Sequence, residues 1–156
     1  MKTSEQCDQV YAAMFNVIGT LMQRSLGKSA DAGGRYRYVP LDDVIDYVLP
    51  VCFQHGLVII QAPISNSPGM IGVTTRVAHV ASQQWLESTI EFPIVELRGQ
   101  NPYQACGSAL SYIRRYALIT TFGLKTEDTD AGGSTGQWTQ PGTPGGQQST
   151  PPRGLF

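Results

Sequence analysis

Apolar positions between residues 4 and 25 recur with a helical rhythm. Val10, Ala13, Met14, Val17, Ile18, Leu21 and Met22 fall on one face, which predicts an amphipathic helix over 4–25. Thr3 followed by Gln6 has the form of a capping box for its start. A polar loop with glycines, residues 27–34, leads to Arg35-Tyr36-Arg37-Tyr38, a short segment read as extended. Pro40 suits the first position of a second helix, and Asp42 and Asp43 suit its positive end. Leu41, Val44, Ile45, Val48, Leu49, Cys52 and Phe53 mark the buried stripe of that helix. Pro50 inside the stripe predicts a kink, and Gly56 a stop.

Beyond Gly56 the period shortens. Residues 57–62 form a continuous apolar run, which predicts a strand covered on both faces. Residues 70–80 alternate, with Ile71, Val73, Thr75 and Val77 opposed to Thr74 and Arg76. Residues 84–94 alternate as well, with Leu86, Ile90 and Phe92 opposed to Trp85, Glu87 and Glu91. Turn residues at 66–69 and 82–84 separate the runs closely enough for an antiparallel meander. A last helix is predicted over 102–122, with Ala105, Ala109, Tyr112, Ile113, Tyr116 and Ile119 on its packed side and Ser111, Arg114 and Arg115 away from it. The fold class is therefore α+β: an antiparallel meander of about three strands, plus a short extended segment, packed against helices on one face.

Composition divides the chain. Residues 131–156 consist almost entirely of Gly, Pro, Ser, Thr and Gln, too little apolar surface to offset the entropy of ordering. The expected organisation is a folded domain over 1–130 and a disordered tail over 131–156. Cys7, Cys52 and Cys106 are odd in number and widely spaced, which favours buried reduced thiols over a disulfide framework. No run approaches the ~20 apolar residues that cross a bilayer. The first residues lack a signal peptide's apolar stretch, so a cytoplasmic protein is expected, in the host cytoplasm if phage-encoded. Net charge is −1, so any binding of phosphate has to come from a local cluster repeated across subunits.

The most informative stretch runs from Gly107-Ser108-Ala109-Leu110-Ser111-Tyr112 through Ile113-Arg114-Arg115-Tyr116-Ala117-Leu118. Gly123-Leu124 and the acidic Glu127, Asp128 and Asp130 follow. Here the chain resembles the phage Erf (essential recombination function) family of single-strand annealing proteins, whose domain ends in a G-S-A-x-x-Y-x-x-R-Y-x-L helix and an acidic segment. Tyr36-Arg37-Tyr38 before Leu41-Asp42-Asp43, His55-Gly56-Leu57, and His79 ahead of Trp85 and Glu87 extend the resemblance over residues 5–130. It implies an annealing fold shared with eukaryotic single-strand annealing proteins, and homo-oligomers in the form of rings or helices.

The residues themselves suit such a role. Arg114 and Arg115 each present a planar fork of N–H donors that matches phosphate oxygens. They sit about 100° apart on a helix, so they need not serve one phosphate. Either can instead hold Asp128, Asp130 or a neighbouring subunit. Lys28, Arg35 and Arg37 interleave with Tyr36 and Tyr38, a pattern of cations and rings suited to a single strand. Packed tyrosines and solvated arginines are the plainer alternative. Arg76 is placed either for a groove contact or for cross-strand pairing with Glu87 or Glu91. Ser111, Tyr36 and Tyr38 are candidate base or phosphate contacts. Ser108 and Tyr112, one turn apart, could donate to a phosphate, but Tyr112 falls on the apolar side and is expected to pack.

No catalytic constellation or zinc spacing is present. His55 near Cys52 is half a metal site at most, and His79 stands alone. Glu127, Asp128 and Asp130 suit Mg²⁺, a helix-end cap or an intersubunit contact, so no cofactor is required. Residues 27–34 do not match G-x-x-x-x-G-K-[ST], which argues against ATP-driven strand exchange. The expected function is single-stranded DNA binding and strand annealing in homologous recombination, without ATP. The alternatives are a metal-dependent nucleic-acid enzyme using the acidic cluster and a passive coat protein. Leu155-Phe156 at the end of the tail resemble a short hydrophobic bait for a host single-strand DNA-binding protein.

Overall fold

The computed structural model describes residues 1–23, 26–27, 29–31, 37–94 and 101–125. In chain order the elements are β1 (Lys2–Thr3), α1 (Asp8–Leu21), β2 (Ala30–Asp31), β3 (Arg37–Tyr38), α2 (Leu41–Gln54), β4 (Leu57–Ile64), β5 (Met70–His79), β6 (Trp85–Pro93) and α3 (Pro102–Phe122). Strands β4, β5 and β6 form the predicted antiparallel meander, and the sheet order is β1-β6-β5-β4. The fourth strand is β1, which pairs Thr3 with Leu86 and Lys2 with Glu87. Strands β2 and β3 form a separate two-stranded ribbon, with Ala30 opposite Tyr38.

Register decides which residues meet the helices, because directly opposed residues share a face. Ile59, Val77 and Leu86 line up across three strands on the helix side. There they join Val10 and Val17 of α1, Val44 and Val48 of α2, and Leu118 and Phe122 of α3 in one core. On the other face Ile60, Arg76 and Glu87 line up in the same way. Gly72 of β5 lies opposite Glu91, where a Cβ would press into the Glu91 side chain and the Ile90 carbonyl. The bare backbone lets Glu91 reach back and accept the Asn66 N–H at 3.0 Å.

Four sequence expectations need correction. Helix α1 begins at Asp8, because Thr3 is held in β1 and no capping box forms with Gln6. Its open N–H groups are met from a distance instead. Gln84, 7% exposed in the β5–β6 turn, accepts the Gln9 N–H at 2.7 Å and the Val10 N–H at 3.1 Å. Strand β4 is not covered on both faces: it is the last strand in the sheet order, and Ile60 is 54% exposed. Phe53 and Met22, placed by period in buried stripes, are exposed where their helices end. Of the three thiols only Cys52 is buried; Cys7 and Cys106 are half-buried, and all three are free.

Helix α2 starts at Leu41 with Pro40 as the flanking residue, and runs through Pro50 to Gln54. Gly56 then adopts φ of 69°, a left-handed turn that a side chain would resist, and the chain enters β4.

Candidate nucleic-acid interface

Helix α3 begins with the capping geometry that α1 lacks. Asn101 Oδ1 accepts the Gln104 N–H at 2.9 Å, and Gln104 Oε1 accepts the Asn101 N–H at 3.1 Å. Pro102 follows at the first helical turn. The helix is thus fixed at its start, and Ala105, Ile113 and Ala117 bury its core side. Ser108, Ser111, Tyr112 and Arg115 are spaced at three and four residues, so they form one stripe along its flank.

That stripe faces the junction of β3 and α2. Arg115 Nη1 donates to the Val39 carbonyl oxygen at 3.0 Å. Its guanidinium carbon stands 4.9 Å from the centre of the Tyr38 ring, 5.1 Å from Tyr116 and 5.3 Å from Tyr112. One backbone carbonyl and three electron-rich ring faces therefore hold the cation. Beside it lies an open cavity of about 400 Å³, lined by Tyr38, Pro40, Leu41, Ser108, Ser111, Tyr112 and Arg115. Both serines are exposed. Arg115, the tyrosines and the serine hydroxyls together offer donors and π surfaces, with no carboxylate among the lining residues.

Arg114 turns the other way, toward β4. Its Nε donates to Gln61 Oε1 at 3.2 Å, and Gln61 Nε2 donates to the Arg114 carbonyl at 3.1 Å. Both arginines are half-buried and engaged with the fold, where the sequence pattern placed them away from the packed side. Tyr112 reverses the other expectation: it is 48% exposed rather than packed in the core. Its ring lies 4.4 Å from that of Tyr116 and meets the Phe92 ring edge-on at 6.4 Å.

Arg76 lies on the opposite face of the sheet. It binds Glu87 through Nη2 at 2.7 Å and Nε at 2.9 Å, and it covers the Trp85 ring at 4.3 Å. Of the two roles its position allowed, cross-strand pairing is the one formed. Arg37 lies opposite Asp31 in the β2–β3 ribbon, its side chain outside the described residues. Lys28, Arg35, Tyr36, Glu127, Asp128, Asp130 and the tail over 131–156 also lie outside them. The structure thus brings together Tyr38, Ser111 and Arg115 among the sequence candidates. With them stand Ser108 and Tyr112, the pair one turn apart, and the structure adds the Val39 carbonyl.

His79 Nδ1 is within 2.8 Å of Ser82 Oγ, a bond that ties the β5–β6 turn together. Among the described residues no three His, Cys, Asp or Glu side chains gather as a metal site. Among them, too, no helix is long and apolar enough to cross a membrane.

No curated protein and no solved structure matches this chain. The family model described as the ERF superfamily matches it over residues 10–150, a span that takes in most of α1, all of α2 and α3, and the whole arginine–tyrosine cluster. The chain belongs to the ERF superfamily.

Proposed function

We propose that this protein binds single-stranded DNA and anneals complementary strands in homologous recombination, without ATP and without catalytic chemistry of its own. The observation that carries this reading is Arg115, held between the Val39 carbonyl and three tyrosine rings beside an open, serine-lined cavity. A guanidinium fixed in this way is ready to meet phosphate without first losing side-chain freedom. Annealing asks for little more. A strand has to be held extended, its phosphate repulsion reduced, and its base edges left open for pairing. Base pairing then supplies the free energy.

One subunit carries too few cations for a long strand, since the net charge is −1. The track is therefore built by many copies, arranged as a ring or short helix. Support comes from the surface between α1 and the sheet, an apolar trough of about 960 Å³ lined by Tyr11, Phe15, Ile18, Leu86 and Ile90 among others. Phe15 is 77% exposed there, and contiguous apolar surface of this kind favours association. Lys28, Arg35 and Arg37 serve as phosphate contacts in addition to Arg114 and Arg115, with Tyr36, Tyr38 and Ser111 as base or phosphate contacts. Arg76, on the opposite face of the sheet, adds a further phosphate contact on release from Glu87. Residues 131–156 act as a tail outside the annealing domain of 1–130, with Leu155-Phe156 as a hydrophobic end for a host single-strand DNA-binding protein.

Two complementary strands carrying a donor and an acceptor dye test the reading. The protein should accelerate their pairing without ATP, and truncation after Asp130 should leave that acceleration largely intact. Protection of the strands without faster pairing would make it a coat protein. Metal-dependent cutting would make it an enzyme.

A further inference from the structure

We infer that Tyr112 is a stacking platform for one nucleobase, with the cavity beside it receiving the sugar and phosphate of the same nucleotide. The inference rests on the proposed binding of single-stranded DNA and names the part of the strand that the site takes. Tyr112 is 48% exposed in the middle of a helix whose neighbours Ile113 and Ala117 are buried. A large ring left half in water is ordinary on its own. This one is also fixed in direction, by Tyr116 at 4.4 Å and by the near-perpendicular Phe92 ring at 6.4 Å. Phe92 is itself 41% exposed. A ring held by two others loses little freedom when a base settles on it.

The adjoining groups fit a nucleotide rather than a free anion or an apolar ligand. A cavity of about 400 Å³ lies at the low end of the ~300–1,000 Å³ typical of small-ligand sites. Arg115 and the hydroxyls of Ser108 and Ser111 line it with donors for phosphate oxygens. Tyr38, Tyr112, Pro40 and Leu41 line it with ring and aliphatic surface. A stacked base is held by its face, so its pairing edge stays open for a complementary strand. Stacking is also indifferent to sequence, which annealing of arbitrary strands requires.

The test compares oligothymidine with an abasic strand of equal length, which keeps the phosphates and lacks the bases. Wild-type protein is expected to bind oligothymidine more tightly than the abasic strand. Tyr112→Leu should weaken oligothymidine binding about tenfold more than abasic binding, in line with the loss of one base–aromatic stack, any smaller abasic loss reflecting the ring's hold on Arg115. Tyr112→Phe should retain both affinities. Unchanged oligothymidine binding by Tyr112→Leu, or equal weakening of both strands, overturns the stacking role while the annealing reading stands. Wild-type protein that binds neither strand overturns both. A second measurement uses the unaltered chain: strands carrying 5-iodouracil should photocross-link to Tyr112 in peptide maps. Cross-links that map only outside residues 108–116 overturn the assignment even if the leucine variant does not fold.

Discussion

Gln61 and Arg114 hold each other reciprocally, the amide donating to the Arg114 carbonyl at 3.1 Å and the guanidinium Nε donating back at 3.2 Å. This clasp ties the middle of α3 to the sheet's last strand. It also separates the two arginines in role, because Arg115 reaches the opposite flank toward Val39. Replacing both by alanine should weaken single-strand binding alike for all sequences. Each lost phosphate contact should lower the log–log salt slope by roughly 0.7. Circular dichroism and oligomer size have to be checked first, since both side chains also brace the fold. A double variant that folds, assembles and binds with an unaltered slope would place the DNA track elsewhere.

Arg76 offers a test of opposite sign. Its pair with Glu87 is partly exposed, the two side chains being 43% and 14% accessible, so the fold gains only about 1 kcal/mol or less from it. Glu87→Gln should release the guanidinium and steepen the salt slope by up to roughly 0.7. Adding Arg76→Ala should erase that gain. Titrations at several salt concentrations read both changes.

Gln84 should matter more to stability than its place in a turn suggests. Gln84→Ala leaves two N–H groups of α1 without their acceptor and should cost about 1–2 kcal/mol in urea unfolding. The Gln84 amide also donates to Asp8 at 2.8 Å. With Gln9 it holds the Asp8 carboxyl below its ordinary value of 3.8. A depressed carboxyl stabilises the fold above that ordinary value, and the contribution is lost as pH falls through the lower folded value. Wild-type stability should therefore decline below pH 3.8 more steeply than that of Gln84→Ala. Parallel acid profiles for the two proteins would contradict the bond.

Cys52 should be chemically silent in the folded protein. Burial in the α2–sheet core pushes its thiol up to about 12, which leaves almost no thiolate at neutral pH. Iodoacetamide should label Cys7 and Cys106 first, and Cys52 only after denaturation. A raised thiol value also means that stability falls as pH climbs from 9.0 toward 12, where the unfolded chain ionises first. Mass mapping of labelled peptides decides the first point, and alkaline unfolding the second.

Assembly is open to light scattering. The protein should run as a large, defined oligomer, and Phe15→Glu in the apolar trough should reduce its size without loss of helical signal. A stable wild-type monomer at micromolar concentration, with and without DNA, would remove the basis for a shared strand track.

Much of this architecture is readable from period alone. Helix α3 occupies 102–122 as its spacing predicts, and the alternation around Val73, Thr75 and Val77 gives the correct inner face. What period does not reveal is the partner. The run at 57–62 looks fully buried because Val58 and Ile60 are apolar, yet β4 ends the sheet and Ile60 meets water. Its one polar member, Gln61, is the signal for a contact with α3. Likewise, the helical repeat assigns Tyr112 to the core, because it registers an apolar ring and not the Phe92 and Tyr116 rings that support it from outside. The motif around Arg115 is legible in the sequence. The Val39 carbonyl that orients it is a backbone atom, which no side-chain pattern records.

The contacts at the two ends of α1's entry segment have a consequence for how the protein is made. Thr3 pairs with Leu86, and the first turn of α1 is closed by Gln84. As the chain leaves the ribosome, α1 is thus without its cap, and β1 without its partner, until the third strand of the meander has emerged. Synthesis at ~5–20 residues per second leaves that helix waiting for several seconds, with Val10, Met14 and Val17 in water. The segment that emerges well before the meander does is secured only once the meander's third strand is made. Contacts this distant in sequence slow folding, and a chain paused before residue 84 would present its apolar helix to whatever lies near.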